Sequence, residues 1–435
     1  MMMKLTNSKG KIMTLRKTIA LLIGAILSVT QPVFAFEIGP EALSLEDALR
    51  IAYVNHPAMQ EVKQEISAAK GRWMQAEALP DPEMEMKVGG LKKQVQDGKE
   101  TRKGNVDSFL IQQPLDPLGT RFLKGRMAWD EVKISRGNVE LVWARVRQEV
   151  IGFYAGILTD EKAQEIAGEN LKATRQFFTQ VETRYQSSNA LQSDVIRAKI
   201  EVSRSENDLL VAQKNLQVSK GKMNLALGRT VESSLQLSDF LAYDSVRFQY
   251  DQIMKQAIEK RADLRNEETR LKTRAKGVWS AWLKTFLPKM GIGVERTTTD
   301  YENDTAILIG ASYPLWGFNL GEVKEAKAEK TIQQVRVEAL RRQVGLEVYQ
   351  AFLESELADK QVALQKKALD EANELLRQIT LQYEEGKIPF LSYLENIKTI
   401  KETRLAYFTA LKNYKETVAD LERTIQATPI PEGAK

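Results

Sequence analysis

The chain has 435 residues, with 63 Lys and Arg, 58 Asp and Glu, one His and no Cys. Without Cys it can form neither disulfides nor thiolate metal sites. Residues 1–35 hold five of the bases and no acid, so the rest of the chain carries 58 bases against 58 acids. A nucleic-acid partner requires an excess of basic surface, for which this balance gives no support.

The first 35 residues have the pattern of a secretory signal peptide. Lys11, Arg16 and Lys17 precede an apolar run at 19–29, and "VFA" at 33–35 is a small-residue cleavage signal. The alternative is a buried or transmembrane helix, which such a short run disfavours. No later run approaches the roughly 20 apolar residues of a transmembrane helix. We therefore predict an exported protein whose membrane contact, if any, uses strands.

The rest of the chain repeats one plan twice. Gly71 and Trp73 recur as Gly277 and Trp279, and "QQPLDPLG" at 112–119 is echoed by "SYPLWGFNLG" at 312–321. Each half predicts two short helices, two strands separated by a polar loop, one very long helix and a shorter returning helix. The predicted division is a signal peptide at 1–35, a first repeat at 36–228, an equatorial connector at 229–249, a second repeat at 250–427 and a tail at 428–435.

The strands that follow Pro80 and Pro288 alternate apolar and polar residues. Their two faces are Met84, Met86 and Val88 against Glu83, Glu85 and Lys87, and Met290, Ile292 and Val294 against Gly291, Gly293 and Glu295. This alternation is typical of a membrane barrel with apolar residues outside, which would place Glu83, Glu85 and Lys87 in the lumen. A strand covering a soluble core would alternate in the same way. The charged segments at 92–105 and 297–305 are predicted to be loops.

Two proline-free stretches, 121–187 and 321–385, predict helices of roughly 100 Å each at 1.5 Å per residue. The returning helices, 191–227 and 390–425, carry matched heptads, which indicate coiled-coil packing. Those positions are Val195, Val202, Leu209, Leu216 and Met223, then Tyr393, Ile400, Tyr407, Tyr414 and Leu421. A second seam in the first returning helix uses Leu191, Ala198, Ser205, Ala212, Ser219 and Ala226.

Four strands cannot close into a barrel alone, so the chain is expected to associate. Two copies would supply eight strands and three would supply twelve, and only the larger number leaves a lumen for solutes.

The whole mature chain resembles the TolC-like outer-membrane efflux proteins. The resemblance rests on the repeat, on "EDALRIAYVNHP" at 46–57 and "KQAIEKRADL" at 255–264, and on "LPDPEMEM" at 79–86 and "LPKMGIGV" at 287–294. It implies a mainly α fold with membrane β structure, in which four strands per chain build a trimeric 12-stranded β-barrel joined to a long periplasmic α-helical barrel. It further implies the outer membrane of a Gram-negative bacterium, contact with its lipid, a homotrimer, a periplasmic adaptor and an inner-membrane pump, with the resistance-nodulation-division type as the candidate class.

The strand-to-helix segments "QPLDPLGTRFLKGRMA" at 113–128 and "YPLWGFNLGEVKEAKA" at 313–328 resemble the branch that serves heavy-metal cation exporters. Related ducts for drugs, dyes and secreted proteins share this junction, so the cargo is left open. The alternative to a channel is a periplasmic adaptor or structural coiled-coil protein without a membrane barrel.

The turns between the long and returning helices resemble the family's periplasmic tips, which the family closes as an iris. The family pattern places Gly three residues after Tyr and an acid at nine, and Ile388 and Ser392 depart from its usual closing link. We expect weak, exposed gate contacts, although each residue could equally sit in an ordinary solvated turn. The candidate gate residues are Arg184, Tyr185, Asp194, Tyr383, Lys387 and Glu395.

No arrangement of a nucleophile, a His and an acid can be assembled, and no phosphate-binding glycine motif is present. His56, before Pro57, is read as a helix cap rather than a metal ligand. Met84 and Met86 could bind copper, but the barrel geometry would turn them to lipid. We therefore predict a passive exit duct without catalysis, cofactor or metal site.

Overall fold

The computed structural model describes residues 42–87, 92–96, 99–103, 107–117, 119–188, 190–298, 303–313 and 319–427. The predicted signal peptide at 1–35 and tail at 428–435 lie outside these residues, as do Val88 and parts of the two predicted loops. The signal peptide and the tail therefore stay predictions.

The first half contains the helices α1 (Leu45–Asn55), α2 (Pro57–Glu77), α3 (Thr120–Gln186) and α4 (Gln192–Ala226) and the strands β1 (Glu83–Lys87), β2 (Lys92–Gln96), β3 (Lys99–Lys103) and β4 (Asp107–Leu115). The second half contains α5 (Tyr250–Lys260), α6 (Ala262–Phe286), β5 (Lys289–Thr298), β6 (Asn303–Ser312), α7 (Leu320–Glu384) and α8 (Phe390–Thr424). Apart from β2 and β3, the two halves have the same element order, which confirms the internal repeat.

The short helices begin and end where their local sequence predicts. The Ser44 hydroxyl accepts a hydrogen bond from the Asp47 N–H and caps α1. His56 caps α2, because its Nδ1 accepts from the Ala58 N–H at 3.2 Å and Pro57 occupies the first helical position. The helices α2 and α6 stop shortly before the prolines that precede β1 and β5, since proline cannot continue a helix.

The long helices match their predicted bounds to within one residue at each end. α3 has 67 residues and α7 has 65, and each returning helix, α4 and α8, has 35. Among the described residues, no helix has both the length and the apolar composition that a membrane crossing requires.

Four strands form one antiparallel sheet in the order β1-β4-β5-β6. These are the four strands per chain that were predicted to contribute to a barrel. The segment 92–105, however, was wrongly predicted to be a loop, because β2 and β3 pair within it as a separate two-stranded ribbon. Its sequence contains the pair Asp97–Gly98, a strong hairpin signal that outweighs the high charge of the flanking residues.

The packing of α4 on α3 uses both predicted seams. Ala198, Ser205 and Ala212 are buried, and so are Leu216 and Met223 of the heptad seam, whereas Val195 and Leu209, nearer the tip, are half-buried. The Ser205 hydroxyl accepts a hydrogen bond from the Asn170 side chain at 3.0 Å. Small side chains let the two backbones approach at one seam, and the larger heptad residues of the other seam become fully buried only towards the end of α4.

The positive φ angles of the described chain fall on three pairs of repeat-related residues. Gly119 and Asn319 precede the long helices, Ser188 and Gly386 follow them, and Gly228 and Gln426 follow the returning helices. Each pair has one glycine and one residue with a side chain. The repeat therefore preserves the backbone turn even where the sequence at the turn has diverged.

The two halves are joined by charged contacts as well as apolar ones. The Asp130 carboxylate, 3% exposed, accepts from Thr273 and Lys276 of α6. Burial opposes ionisation of Asp130, but these donors hold its pKa below the usual range. α3 thus packs against α4 of its own half and against α6 and α8 of the other half.

Candidate functional site

One face of the four-stranded sheet is mostly apolar, with Gln113 and Arg296 as polar residues on it. In an antiparallel ladder, residues directly opposite each other share a face. Met86 is opposite Phe109, and Met84 is opposite Ile111, which is opposite Val294 on its other side. The large apolar side chains of this face are exposed by 39% to 75%: Met84, Met86, Phe109, Ile111, Leu115, Met290, Ile292, Val294, Ile307 and Ile309.

The opposite face is mostly polar or small, with Leu110 and Leu308 as its large apolar residues. Glu83, Glu85 and Lys87 lie on it together, and the Lys87 Nζ is 3.4 Å from the Glu85 carboxylate. Gly293 and Gly291 follow on β5. The three candidate lumen residues therefore share one side of the sheet, the side turned away from the apolar face.

Within the described chain, the strands β1 and β6 each have a pairing partner on one side only. Unpaired strand edges expose backbone donors and acceptors that require partners. In a hydrocarbon environment an open edge is not tolerated, because no water is available to satisfy it. The sheet is thus a segment of a larger closed structure if its apolar face meets lipid.

The far ends of the two helical hairpins meet through an aromatic cluster. Tyr383, at the end of α7, stacks on Tyr393 of α8 with 4.7 Å between ring centroids. Phe177 of α3 contacts Tyr383 at 5.4 Å, and Ala198 of α4 belongs to the same buried cluster. The cluster links the first hairpin to the second within one chain.

Arg184 and Tyr383 are the two candidate gate residues that the structure brings together. The Arg184 guanidinium lies over the Tyr383 ring, 5.7 Å from its centroid. Tyr383 is only 6% exposed, which differs from the expected exposed contact. Burial raises the pKa of its hydroxyl, and the positive charge of Arg184 partly opposes that rise. The ring acts as a packing element that a cation covers from outside.

The other tip residues make local contacts. The Asp194 carboxylate accepts from the Leu191 N–H at 3.4 Å, at the start of α4. Lys387 lies 2.5 Å from the Glu385 carboxylate, and Tyr185 is 43% exposed. The Glu395 side chain is exposed as well. These residues lie on the surface of the tips, whereas Arg184 and Tyr383 contact each other within the chain.

Sequence reasoning missed Phe177 as a tip residue. It precedes the turn by ten residues, and its aromatic partners lie more than two hundred residues later. The only signal was the pair Phe177–Phe178 in an otherwise polar helix end.

The residues considered as metal ligands have other environments. His56 caps α2 as predicted, with its Nε2 3.8 Å from Glu149, and Met84 and Met86 belong to the apolar sheet face. In the described ranges, no group of three or more His, Asp and Glu side chains is placed to hold a metal ion.

Comparison with known proteins agrees with this architecture. Residues 48–229 and 253–425, the two repeats, match the family model described as outer membrane efflux protein. The cobalt-zinc-cadmium resistance protein CzcC of Cupriavidus metallidurans is 19% identical over 398 residues, covering 91% of this chain and 92% of that protein.

Two solved structures have the same fold at low identity. The Campylobacter jejuni CmeC outer membrane channel superimposes with a TM-score of 0.75 at 13% identity, covering 90% of this chain and 87% of that one. CusC superimposes with a TM-score of 0.72 at 16% identity, covering 88% of this chain and 91% of that one. The fold is TolC-like, with an outer-membrane sheet and a long helical part on the periplasmic side. The chain belongs to the outer membrane efflux protein family.

Proposed function

We propose that the protein is one subunit of a homotrimeric exit duct in a tripartite efflux system, working with a periplasmic adaptor and an inner-membrane pump. The observation that carries the proposal is the open sheet with an apolar face and two unpaired edges. Three copies would close it into twelve strands, with Glu83, Glu85 and Lys87 facing the lumen. The family match favours this function over the periplasmic adaptor considered from the sequence.

Fractionation tests the channel against the adaptor. A channel is expected in outer membranes, extracted only by detergent, as a heat-sensitive oligomer three chains in size. A freely soluble periplasmic monomer would contradict the proposal. Cysteine labelling can test separately which sheet face lines the lumen, because the chain has no native Cys. A water-soluble maleimide should label Glu85→Cys and leave the neighbouring Met86→Cys unlabelled in intact membranes.

Heavy-metal cations are the cargo class that we propose. The described part of the polar sheet face has four acids and two bases, a net negative charge: Glu83, Glu85, Glu295 and Asp304 against Lys87 and Lys289. Rings of acidic side chains favour cations in a pore. The likeness to CzcC, named for cobalt, zinc and cadmium resistance, points to the same class.

Growth of a deletion strain on metal salts, dyes and detergents tests this cargo. Sensitivity to divalent metals alone, restored by the wild-type gene, supports it, and sensitivity to dyes alone contradicts it. In planar bilayers under a KCl gradient, the wild-type channel should be cation-selective. Glu85→Gln with Glu295→Gln should reduce this selectivity, while Lys87→Gln should not.

The hairpin tips are proposed as the gate of this duct. Arg184, Tyr185, Asp194, Tyr383, Lys387 and Glu395 lie in or beside the tip turns. A duct that joins the periplasm to the exterior must close when idle, and helix ends can shift position without unfolding the long helices. The conductance of tip variants, described in the Discussion, tests this role.

A further inference from the structure

A groove of about 700 Å³ lies between the last turns of α2 and the first turns of α3. Trp73 and Glu77 of α2 line one wall, and Phe122, Arg126 and Trp129 of α3 line the other. α2 leads into β1, and α3 follows β4. The groove is therefore at the end of the helical part that adjoins the sheet.

The apolar part of the groove is made of aromatic rings. Trp73 packs on Trp129 with 4.9 Å between ring centroids, and its Nε1 donates to the Glu77 carboxylate at 2.9 Å. Phe122 beside them is 62% exposed. Gly125 keeps the two helices close, because a Cβ there would lie 3.0 Å from the Glu77 side chain. The rings are thus held in place but remain open to the surroundings.

The polar part of the groove has an excess of positive charge, with two arginines against one acid. The Arg126 guanidinium lies over the Phe122 ring, 4.4 Å from its centroid, and within the described residues it forms no ion pair. The Arg121 Nε donates to the Glu77 carbonyl at 2.9 Å, which holds this side chain along the groove. Such a surface is complementary to an anion.

The groove lies on the side of α3 that the short helix α1 covers further along. Phe122, Trp129, Arg136 and Trp143 follow each other at a spacing of seven residues, which keeps them on one side of the helix. Trp143 is 1% exposed, and Tyr53 of α1 packs against it with 5.1 Å between ring centroids. A duct must keep its interior open, so α1 lies outside the helical wall. This step rests on the proposed function, and it turns the groove outward.

The level of the groove along the molecule is that of a membrane boundary. The apolar sheet face ends at Leu115, shortly before α3 begins. At the equivalent end of α6, Trp282 stacks on Phe286 with 5.4 Å between centroids, and Lys327 lies 5.3 Å from the Trp282 ring. Trp279 nearby is 68% exposed. Exposed aromatic rings beside cations are typical of the interface between hydrocarbon and water.

We propose that this groove binds an anionic glycerophospholipid of the periplasmic leaflet, with the phosphate on Arg126 and Arg121. A guanidinium binds phosphate oxygens through two parallel hydrogen bonds. The rings of Phe122 and Trp129 would pack against the glycerol and the first carbons of the acyl chains. A zwitterionic headgroup would bring a cation beside two guanidiniums, which favours the anionic lipid. Each subunit of the trimer then holds one lipid.

Native mass spectrometry of detergent-purified trimers tests this site, with phosphatidylglycerol as the probe. Arg126→Gln should retain roughly fivefold less lipid than the wild type, since it removes a charge-assisted contact to phosphate. The matched control is Lys124→Gln, which removes the same charge from the same end of α3. Lys124 is exposed, pairs with Asp116 at 3.0 Å and lies about 200° around the helix from Arg126. The control should bind lipid like the wild type.

Thermal unfolding in detergent gives a second measurement, because a ligand that binds the folded state raises the unfolding temperature. Phosphatidylglycerol should raise it in the wild type and in Lys124→Gln but not in Arg126→Gln, and phosphatidylcholine should raise it in none. Equal losses of bound lipid from Arg126→Gln and Lys124→Gln would overturn the site, since attraction to the overall charge would then explain the binding.

Two further outcomes separate this inference from the proposed function. Wild-type trimers that conduct in planar bilayers but retain no phosphatidylglycerol, or retain phosphatidylcholine equally well, would overturn the anionic lipid site and leave the duct in place. Absence of any trimer from the wild-type protein would overturn the proposed function, and with it the outward orientation of the groove.

Discussion

Ser188 and Gly386 adopt the same left-handed backbone conformation at the ends of the two long helices, with φ of 57° and 73°. In both turns the residue's N–H donates to the carbonyl of a tyrosine, Tyr185 or Tyr383, at 2.9 and 3.0 Å. Glycine adopts this conformation at no steric cost, whereas serine is strained in it. The first tip therefore stores strain that the second tip lacks.

Replacing Ser188 with glycine should stabilise the first hairpin by roughly 0.5 to 1 kcal/mol, the usual gain at a helix end of this kind. Slower hydrogen exchange of the tip amides in the purified trimer would measure it. Ser187→Gly is the control, because Ser187 has a φ of −88° and gains nothing from glycine. Gly386→Ser should weaken the second tip by a similar amount. Equal exchange in Ser188→Gly and wild type would show that the serine is not strained.

The sheet register predicts which strand substitutions block assembly. Met86→Lys and Ile292→Lys place a charge on the apolar face, which costs roughly 2 to 4 kcal/mol at the bilayer midplane. Both should reduce the membrane-inserted trimer, measured by heat-modifiable mobility on gels. Glu85→Lys, on the other face, should assemble normally. Equal losses from all three variants would refute the assignment of the faces.

Most of the helical architecture could be predicted from the sequence because proline, glycine and heptad signals are local. No proline interrupts the long helices, and the predicted bounds, 121–187 and 321–385, match α3 and α7 to within one residue. The hairpin β2–β3 was missed because its charge suggested a loop, although the sequence has the hairpin signal Asp97–Gly98 between the two strands. Local signals thus predicted the helices correctly, and a local signal that was given too little weight would have predicted the hairpin.

The tip cluster could not be predicted in the same way, because it depends on how the two halves face each other. Tyr383 looked like an exposed polar residue, and only the placement of Phe177 and Tyr393 beside it shows that it is buried. Periodicity identifies the buried side of a helix but not which distant ring covers it.

His56, the single histidine, should make the stability of the fold depend on pH through its capping of α2. Burial lowers the pKa of His56 below its ordinary value of 6.5, although Glu149 opposes this, and its neutral Nδ1 caps α2. A histidine whose folded pKa is depressed stabilises the fold above the unfolded pKa, and this contribution is lost as the pH falls below about 6.5. Thermal unfolding of the wild-type trimer should therefore occur at lower temperature at about pH 5.5 than at pH 7.5.

His56→Asn keeps a capping side chain that does not titrate, so it isolates the histidine. The difference in unfolding temperature between the two pH values should shrink in this variant. If the unfolding temperature of His56→Asn changed between the two pH values as much as that of the wild type, the pH dependence would come from other groups. Protonation of His56 would then not affect stability.

The aromatic cluster predicts how the tips open. Tyr383 is buried against Phe177 and Tyr393 and covered by Arg184, so Tyr383→Ala removes an aromatic contact between the tips of the two hairpins of one chain. Loss of a buried aromatic side chain costs about 3 to 5 kcal/mol. Because the loss is confined to the tips, we expect intact trimers with raised single-channel conductance in planar bilayers and increased sensitivity of cells to large antibiotics. Glu395→Ala, at an exposed position, should change conductance much less. If Glu395→Ala opened the channel and Tyr383→Ala did not, the gate would lie in the exposed polar contacts, and the aromatic cluster would be a structural element that stays closed throughout transport.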